Sequence, residues 1–215
     1  MFKPTKARTA LQFALLAGAA LLGACSSDVT SPKATTARAT QATSMFVPSA
    51  AAKALIGVVD GTYTVTVDPK LDQQFNLGPN YLALPANSIC NLTTSGYGTA
   101  FWDAPCSPET TPLTLTVVIR NAASANPSLD FSPAMRFNPA KSVQLFIYAP
   151  KVSPTDAKNW VMKYCPDGGS CLDESLADAS LTTNIDYTNN VLFRRVKHFS
   201  GYTVAEFLDP LLPPL

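Results

Sequence analysis

The sequence has little of what an enzyme or a metalloprotein needs. It contains a single histidine, His198, and none of its five cysteines is spaced as Cys-x-x-Cys, so a zinc site or a thiol redox centre is poorly supported. It also lacks Gly-x-Ser-x-Gly, Ser-x-x-Lys and His-Glu-x-x-His motifs and a phosphate-binding glycine loop. We therefore expect no metal, no cofactor and no enzymatic activity.

The sequence also lacks an apolar run long enough to span a bilayer, which takes about twenty residues. Its longest apolar run, residues 10–22, is shorter than that and follows a segment with three basic residues. A basic start, a short apolar core and small residues after the core are typical of an export signal. Residues 1–24 are therefore predicted to be a signal peptide.

The end of this segment, Leu22-Gly23-Ala24-Cys25, resembles the cleavage box of bacterial lipoproteins. In that class the cysteine becomes the first residue and carries a diacylglyceryl thioether and usually an N-acyl chain such as palmitate, and two or more chains give stable anchoring. The resemblance implies that Cys25 is lipidated and that a bilayer is a partner. Ser26, rather than Asp, follows the cysteine. By analogy with enterobacterial sorting, this favours the outer membrane of the bacterial cell envelope.

Charge is scarce in the remainder of the chain. Removal of the signal peptide, which holds three basic residues and no acidic one, takes the formal net charge from +1 to −2. No Lys/Arg stripe remains, which argues against a nucleic-acid partner.

Residues 25–52 are rich in Ser, Thr and Ala and predict a lipidated, flexible tether. Residues 53–208 suffice for one domain with its own core, and residues 209–215 predict a Pro-rich tail.

The domain shows no long stretch of helical period, but it contains many short runs of alternating polarity. Residues 62–67 and 113–120 alternate apolar and polar side chains, which is typical of half-buried strands. Asp60-Gly61, between runs 55–59 and 62–67, predicts a two-residue hairpin turn. Further strands are predicted at 81–84, 142–148, 160–164, 182–187, 191–196 and 199–205. This pattern predicts an all-β fold, an antiparallel β-sandwich of short strands.

Part of the domain resembles the ZU-five domain, named for zonula occludens and netrin-receptor proteins and also present in ankyrins. The resembling stretches are 78–86, 129–139, the strand led by Trp160, and 198–205. The resemblance implies a β-sandwich that acts as a non-catalytic binding or structural module. It also implies that His198 bonds a neighbouring carbonyl within a structural motif made of His198, Phe199, Ser200 and Tyr202.

Four cysteines remain in the domain, and an even number in an exported protein predicts disulfides. Three pairings are possible, and sequence proximity favours Cys90 with Cys106 and Cys165 with Cys171. The loop between the first pair contains Phe101-Trp102. Aromatic rings on a closed loop are suited to binding a protein or glycan partner. The alternative is that both rings cap the end of the sandwich.

Two other sets of side chains suggest chemistry. His198 and Ser200 share a strand face at the two-residue period, so a secreted hydrolase that uses His198 with a nearby Ser or Asp is the alternative function. Four carboxylates surround the Cys165 to Cys171 segment, but their spacing does not match a twelve-residue calcium loop. They are predicted to form a solvated acidic surface and are Asp167, Asp173, Glu174 and Asp178.

Overall fold

A computed structural model describes residues 58–155, 159–167 and 169–207. The signal peptide 1–24, the lipidation site Cys25, the tether and the tail 209–215 lie outside the described residues. The predictions made for them stay predictions.

Ten β-strands in the described part of the chain form two antiparallel five-stranded sheets, which confirms the predicted β-sandwich. The first sheet has the order β1-β4-β5-β10-β7, with β1 (Gly61–Val67), β4 (Leu113–Arg120), β5 (Ser128–Arg136), β10 (His198–Glu206) and β7 (Trp160–Cys165). The second has the order β2-β3-β6-β9-β8, with β2 (Gln73–Leu77), β3 (Asn80–Leu84), β6 (Val143–Tyr148), β9 (Val191–Val196) and β8 (Asn184–Asp186). The helical segments described are two 3₁₀ turns, Glu174–Leu176 and Ala179–Leu181, and neither could cross a bilayer.

The polarity alternation in the sequence corresponds to the two faces of the strands. In β4, Leu115, Val117 and Ile119 are fully buried between the sheets while Thr114 is exposed. β6 is apolar on both faces except at Gln144, a composition that favours a central strand, and it is the central strand of its sheet. Burying one face of each sheet against the other removes these side chains from water, which is the main free-energy gain of a sandwich.

The predicted hairpin at Asp60-Gly61 is wrong. Such a turn needs positive φ at both residues, and among the described residues positive φ occurs elsewhere, at Gly78 and Asn190 for example. Gly61 instead opens β1, and the Asp60 carboxylate accepts a hydrogen bond from the backbone N–H of Ala122 at 2.8 Å. The turn at Asn189-Asn190, by contrast, joins β8 to β9, and Asn190 has a positive φ.

Two strands, β2 and β5, were not predicted. β5 is the middle strand of its sheet, although Pro133 lies inside it and has no N–H to contribute to a ladder. The sheet accommodates the proline because β5 pairs with β4 only as far as Ser132 and with β10 again at Met135. Residues 132–134 are exposed between these two paired segments. Tertiary pairing on either side thus overrides the local signal against a strand.

The strand directions define two ends of the sandwich. At the entry pole β1 begins and β10 ends, since Gly61 pairs with Ile119 and Glu206 pairs with Trp160. At the loop pole β5 and β7 end and β10 begins. The long connections 85–112 and 166–183 both lie at the loop pole, so the two segments that contain cysteines meet there.

Candidate functional site

The site begins where the chain crosses from one sheet to the other. β9 and β10 are separated by one residue, Lys197, and His198 is the first residue of β10. β10 lies between β5 and β7, so its side chains are enclosed by both neighbours and by the opposite sheet. His198 is fully buried as a result, with none of its surface exposed.

A buried ionic cluster surrounds the histidine. His198 Nε2 lies 2.7 Å from Glu174 Oε1, and the other carboxylate oxygen of Glu174 pairs with the guanidinium of Arg194. Arg194 also donates from Nη1 to the carbonyl of Met162 at 2.9 Å. The carboxylate therefore balances a buried cation, which is the condition under which a charge can be kept inside a protein.

These contacts correct two predictions. His198 bonds a carboxylate from a distant loop rather than a neighbouring carbonyl. Glu174 is buried and Asp178 is paired with Lys197, so these two residues do not belong to a solvated acidic surface. Among the described residues, no group of three or more His, Cys, Asp or Glu side chains is arranged to hold a metal ion.

Sequence reasoning missed Arg194, although a signal was present. Leu192, Arg194 and Val196 follow one another at the two-residue period of β9, and all three are buried. A cation at an inward position of an otherwise apolar strand requires an anionic partner. The search for that partner would have led to the acidic segment around Glu174.

Aromatic rings enclose the histidine on its remaining sides. The Trp102 indole is stacked on the His198 ring, with ring centroids 3.9 Å apart and an angle of 19° between the planes. The Tyr164 ring meets the imidazole edge-on at 4.3 Å, and the Tyr202 ring lies 6.0 Å away. The two residues of the predicted aromatic pair thus have different positions, because Trp102 packs on the core while Phe101 is 44% exposed.

Both favoured disulfides are present and hold the two loops. Cys90 is bonded to Cys106 and Cys165 to Cys171. The first loop is also tied to β5, because Arg136 donates from Nη1 to the carbonyl of Ala104 at 2.7 Å. Closing loops of 16 and 6 residues removes unfolded-state entropy worth about 3 and about 2 kcal/mol in the chain-entropy description.

Lys197 joins the two loops to each other. Its ammonium lies 2.6 Å from a carboxylate oxygen of Asp103 and 2.6 Å from one of Asp178. Burial by itself lowers the pKa of Lys197, but the hydrogen bonds to both carboxylates outweigh burial and raise the pKa overall. The hydrogen bond from Lys197 lowers the pKa of Asp178 to about 2.

We expect this bridge to make the domain less stable in acid. Because the pKa of Asp178 falls from 3.8 to about 2 on folding, its contribution is complete above pH 4 and is lost as the pH drops towards 2. Urea unfolding at pH 7, 4 and 2 should show wild type more stable than Asp178→Asn at pH 7, with most of the difference lost at pH 2. A difference that is constant across these pH values would contradict the assignment.

The geometry does not form the Ser-His pair of the alternative function. The hydroxyl of Ser200 donates to the carbonyl of Cys165 at 3.4 Å, while His198 Nε2 is bonded to Glu174. The pairing of β10 with β5 shifts register between Phe199 and Gly201, at a bulge whose extra residues, 131–134, belong to β5 and lie opposite Ser200 of β10. Glycine is required in this bulge because a Cβ at residue 201 would lie 2.8 Å from the Cys165 carbonyl oxygen.

Five large apolar side chains of the two disulfide-bonded connections, 85–112 and 166–183, remain exposed at the loop pole, and we call them the apolar rim. They are Leu92, Tyr97, Phe101, Leu172 and Leu176, with 40 to 65% of their surface exposed. Tyr97 is held in place, since its hydroxyl donates to the carbonyl of Phe199 at 2.8 Å. Burial raises the pKa of this hydroxyl well above its usual value, so it remains a donor. The rim thus consists of apolar groups presented on anchored loops.

The chain matches no protein-family model, no curated protein and no solved structure. The resemblance to the ZU-five domain therefore stays a prediction, and the site is interpreted from its own geometry.

Proposed function

We propose that this protein is a lipid-anchored lipoprotein of the bacterial cell envelope whose β-sandwich is a non-catalytic binding module. The binding surface is the apolar rim, and the partner is a protein or a glycan of the envelope. The observation that carries this proposal is the contrast between the two kinds of aromatic residue at the loop pole. Trp102 is used to dock its loop on His198, whereas Tyr97 and Phe101 keep 42% and 44% of their surface exposed.

Physical chemistry supports binding at this rim in two ways. Exposed aromatic side chains on loops that are already ordered lose little conformational entropy when a partner covers them. The loops are ordered by two disulfides and by the Lys197 bridge. A loose surface of the same composition would bind more weakly, because binding would also have to order it.

The position of the rim fits an anchored protein. β1 begins at the entry pole and the rim lies at the loop pole, so the first described strand starts at the end of the sandwich opposite the rim. Lipidation at Cys25 and the outer membrane, favoured by Ser26, remain part of the proposal. The resemblance to the ZU-five domain supports a role in contacts without catalysis, and the burial of His198 between Glu174 and Trp102 agrees with that role.

Replacing Cys25 by Ala should abolish anchoring. Without the thiol there is no thioether to carry the diacylglyceryl group, so the variant should leave the membrane pellet after a carbonate wash or accumulate unprocessed. Fractionation and mass spectrometry of the N-terminus measure both outcomes. Cys25→Ala protein that has lost its signal peptide and still sediments with membranes as the wild type does would contradict the lipid anchor.

A photo-crosslinking amino acid at position 101 should capture the partner in intact cells. Tyr187 provides a matched control, because it is 41% exposed but lies in the β8–β9 turn at the entry pole. We expect an adduct from position 101 and none from position 187, and Tyr97→Ser should weaken that adduct several-fold. Protease digestion or periodate cleavage of the adduct distinguishes a protein from a glycan. Equal adducts at both positions, or none at 101, would contradict binding at the rim.

A further inference from the structure

The edge strands of the two sheets differ in how they are protected. An edge strand presents unpaired N–H and C=O groups to which another strand can bind, and proteins usually block such edges. β7 is blocked, because Thr183 accepts from the N–H of Met162 at 2.9 Å and Leu172 exchanges two backbone hydrogen bonds with Tyr164. β8 and β2 are short, with three and five residues.

The fourth edge, β1, is long, and no described residue pairs with its second side. It has seven residues, Gly-Thr-Tyr-Thr-Val-Thr-Val, none of which is charged and none of which is proline. Within the described part of the chain, β4 is its only hydrogen-bonded neighbour. The described residues that lead into β1, 58–60, do not run along its free edge, since Asp60 is bonded to Ala122 in the β4–β5 turn and Val58 packs on the core.

We propose that two copies of this chain pair through β1, antiparallel, about a two-fold axis at Thr64. This register places Thr62 opposite Thr66 and Tyr63 opposite Val65 of the second copy. Thr–Thr pairs and pairs of an aromatic with a β-branched residue are favourable across strands, and no like charges face each other. The strand is thus complementary to itself, as a two-fold interface requires, and the two five-stranded sheets join into one of ten strands.

The chain that precedes β1 determines how stable this dimer is. One strand pair buries less than the roughly 1,600 Å² of a standard interface, so the isolated domain should be monomeric when dilute. Anchoring of both copies in one bilayer raises their effective concentration, a step that rests on the proposed lipid anchor. The two Gly61 residues of the pair lie roughly 20 Å apart. The 35 or so residues between Cys25 and Gly61 span about 30 Å if flexible, so both anchors reach the same membrane.

Cysteine cross-linking in the full-length chain tests the pairing. Residues on the two-fold axis have Cβ atoms about 5 Å apart, so Thr64→Cys should give a reducible dimer under mild oxidation of whole cells. Thr116→Cys is the matched control, because Thr116 pairs with Thr64 on β4. The two copies of residue 116 would be separated by three strand spacings, about 14 Å, which is too far for a disulfide. We expect most of the Thr64→Cys protein, and almost none of the Thr116→Cys protein, to run as a dimer.

The register has its own test. Thr62→Cys and Thr66→Cys should each remain monomeric when expressed alone and should form a mixed disulfide when expressed together. Equal cross-linking at positions 64 and 116, a Thr64→Cys adduct with a different protein, or no dimer in any cell fraction would overturn the pairing. A dimer formed by soluble chain would uphold it while contradicting the lipid anchor. Membrane-bound chain that forms no dimer would uphold the lipid anchor while contradicting the pairing.

Discussion

Replacing Tyr202 by Ala should destabilise the domain by about 3 to 5 kcal/mol, the usual loss for a large buried aromatic. Tyr202 is fully buried, and its ring lies 6.0 Å from the Tyr164 ring and 5.3 Å below the guanidinium carbon of Arg194. Its hydroxyl donates to the carbonyl of His198 at 2.8 Å. Alanine removes the packing and leaves that buried carbonyl without its donor. Thermal melting should show a fall of about 10 °C or more.

Tyr202→Phe separates these two losses. Burial holds the pKa of the Tyr202 hydroxyl far above its usual value, so the group remains a donor at any pH at which the protein is folded. Removing it alone should cost about 1 kcal/mol. The interpretation of β10 as a core strand would be wrong if Tyr202→Ala melted at the temperature of the wild type. It would also be wrong if Tyr202→Phe were as damaging as Tyr202→Ala.

Removing the charge of Glu174 should have an effect of similar size. Glu174→Gln keeps the shape of the side chain but leaves the guanidinium of Arg194, which is fully buried, without an anion. Breaking a buried ion pair on one side costs about 3 to 5 kcal/mol, because the remaining charge stays desolvated. Urea unfolding at pH 7 measures this loss as a lower midpoint.

An exposed ion pair in the same molecule provides the control. Arg120 and Asp130 are paired on the outer face of the first sheet, with 55% and 46% of their side chains exposed. Asp130→Asn should change stability by no more than about 1 kcal/mol. The double variant Glu174→Gln with Arg194→Met should be more stable than Glu174→Gln alone, since the unpaired charge is then absent. Equal losses for Glu174→Gln and Asp130→Asn would show that the buried cluster does not hold the loop.

The two variants address the same structural question from opposite sides. The hydroxyl of Tyr202 donates a hydrogen bond to the backbone carbonyl of His198, and the carboxylate of Glu174 binds the imidazole of His198. Trp102 then stacks on that imidazole and brings the first disulfide loop against the second. The stability of the loop pole, and with it the shape of the apolar rim, therefore depends on a histidine that is buried and structural.

The sequence by itself determined the strands whose two faces differ. Residues 113–120 form β4 with the boundaries that their alternation predicts, and residues 62–67 form β1 with Gly61 added at its start, because alternation at a period of two is a local property. The disulfide partners were also predictable, since each pair is close in the chain. β5 was not predictable in this way, since Pro133 inside it has no N–H for a ladder, and only the structure shows that the proline lies between two paired segments of a central strand.

Only the tertiary structure decided which partners the buried charged side chains have and which edge strand lacks a neighbour among the described residues. Lys197 and Asp103 are 94 residues apart in the chain, and Glu174 is 24 residues from His198, so no spacing pattern joins them. Their contact depends on β9 and β10 carrying the chain from one sheet to the other at the loop pole. The free edge of β1 likewise follows from strand order, because a strand has the same sequence whether or not a neighbour covers its second side.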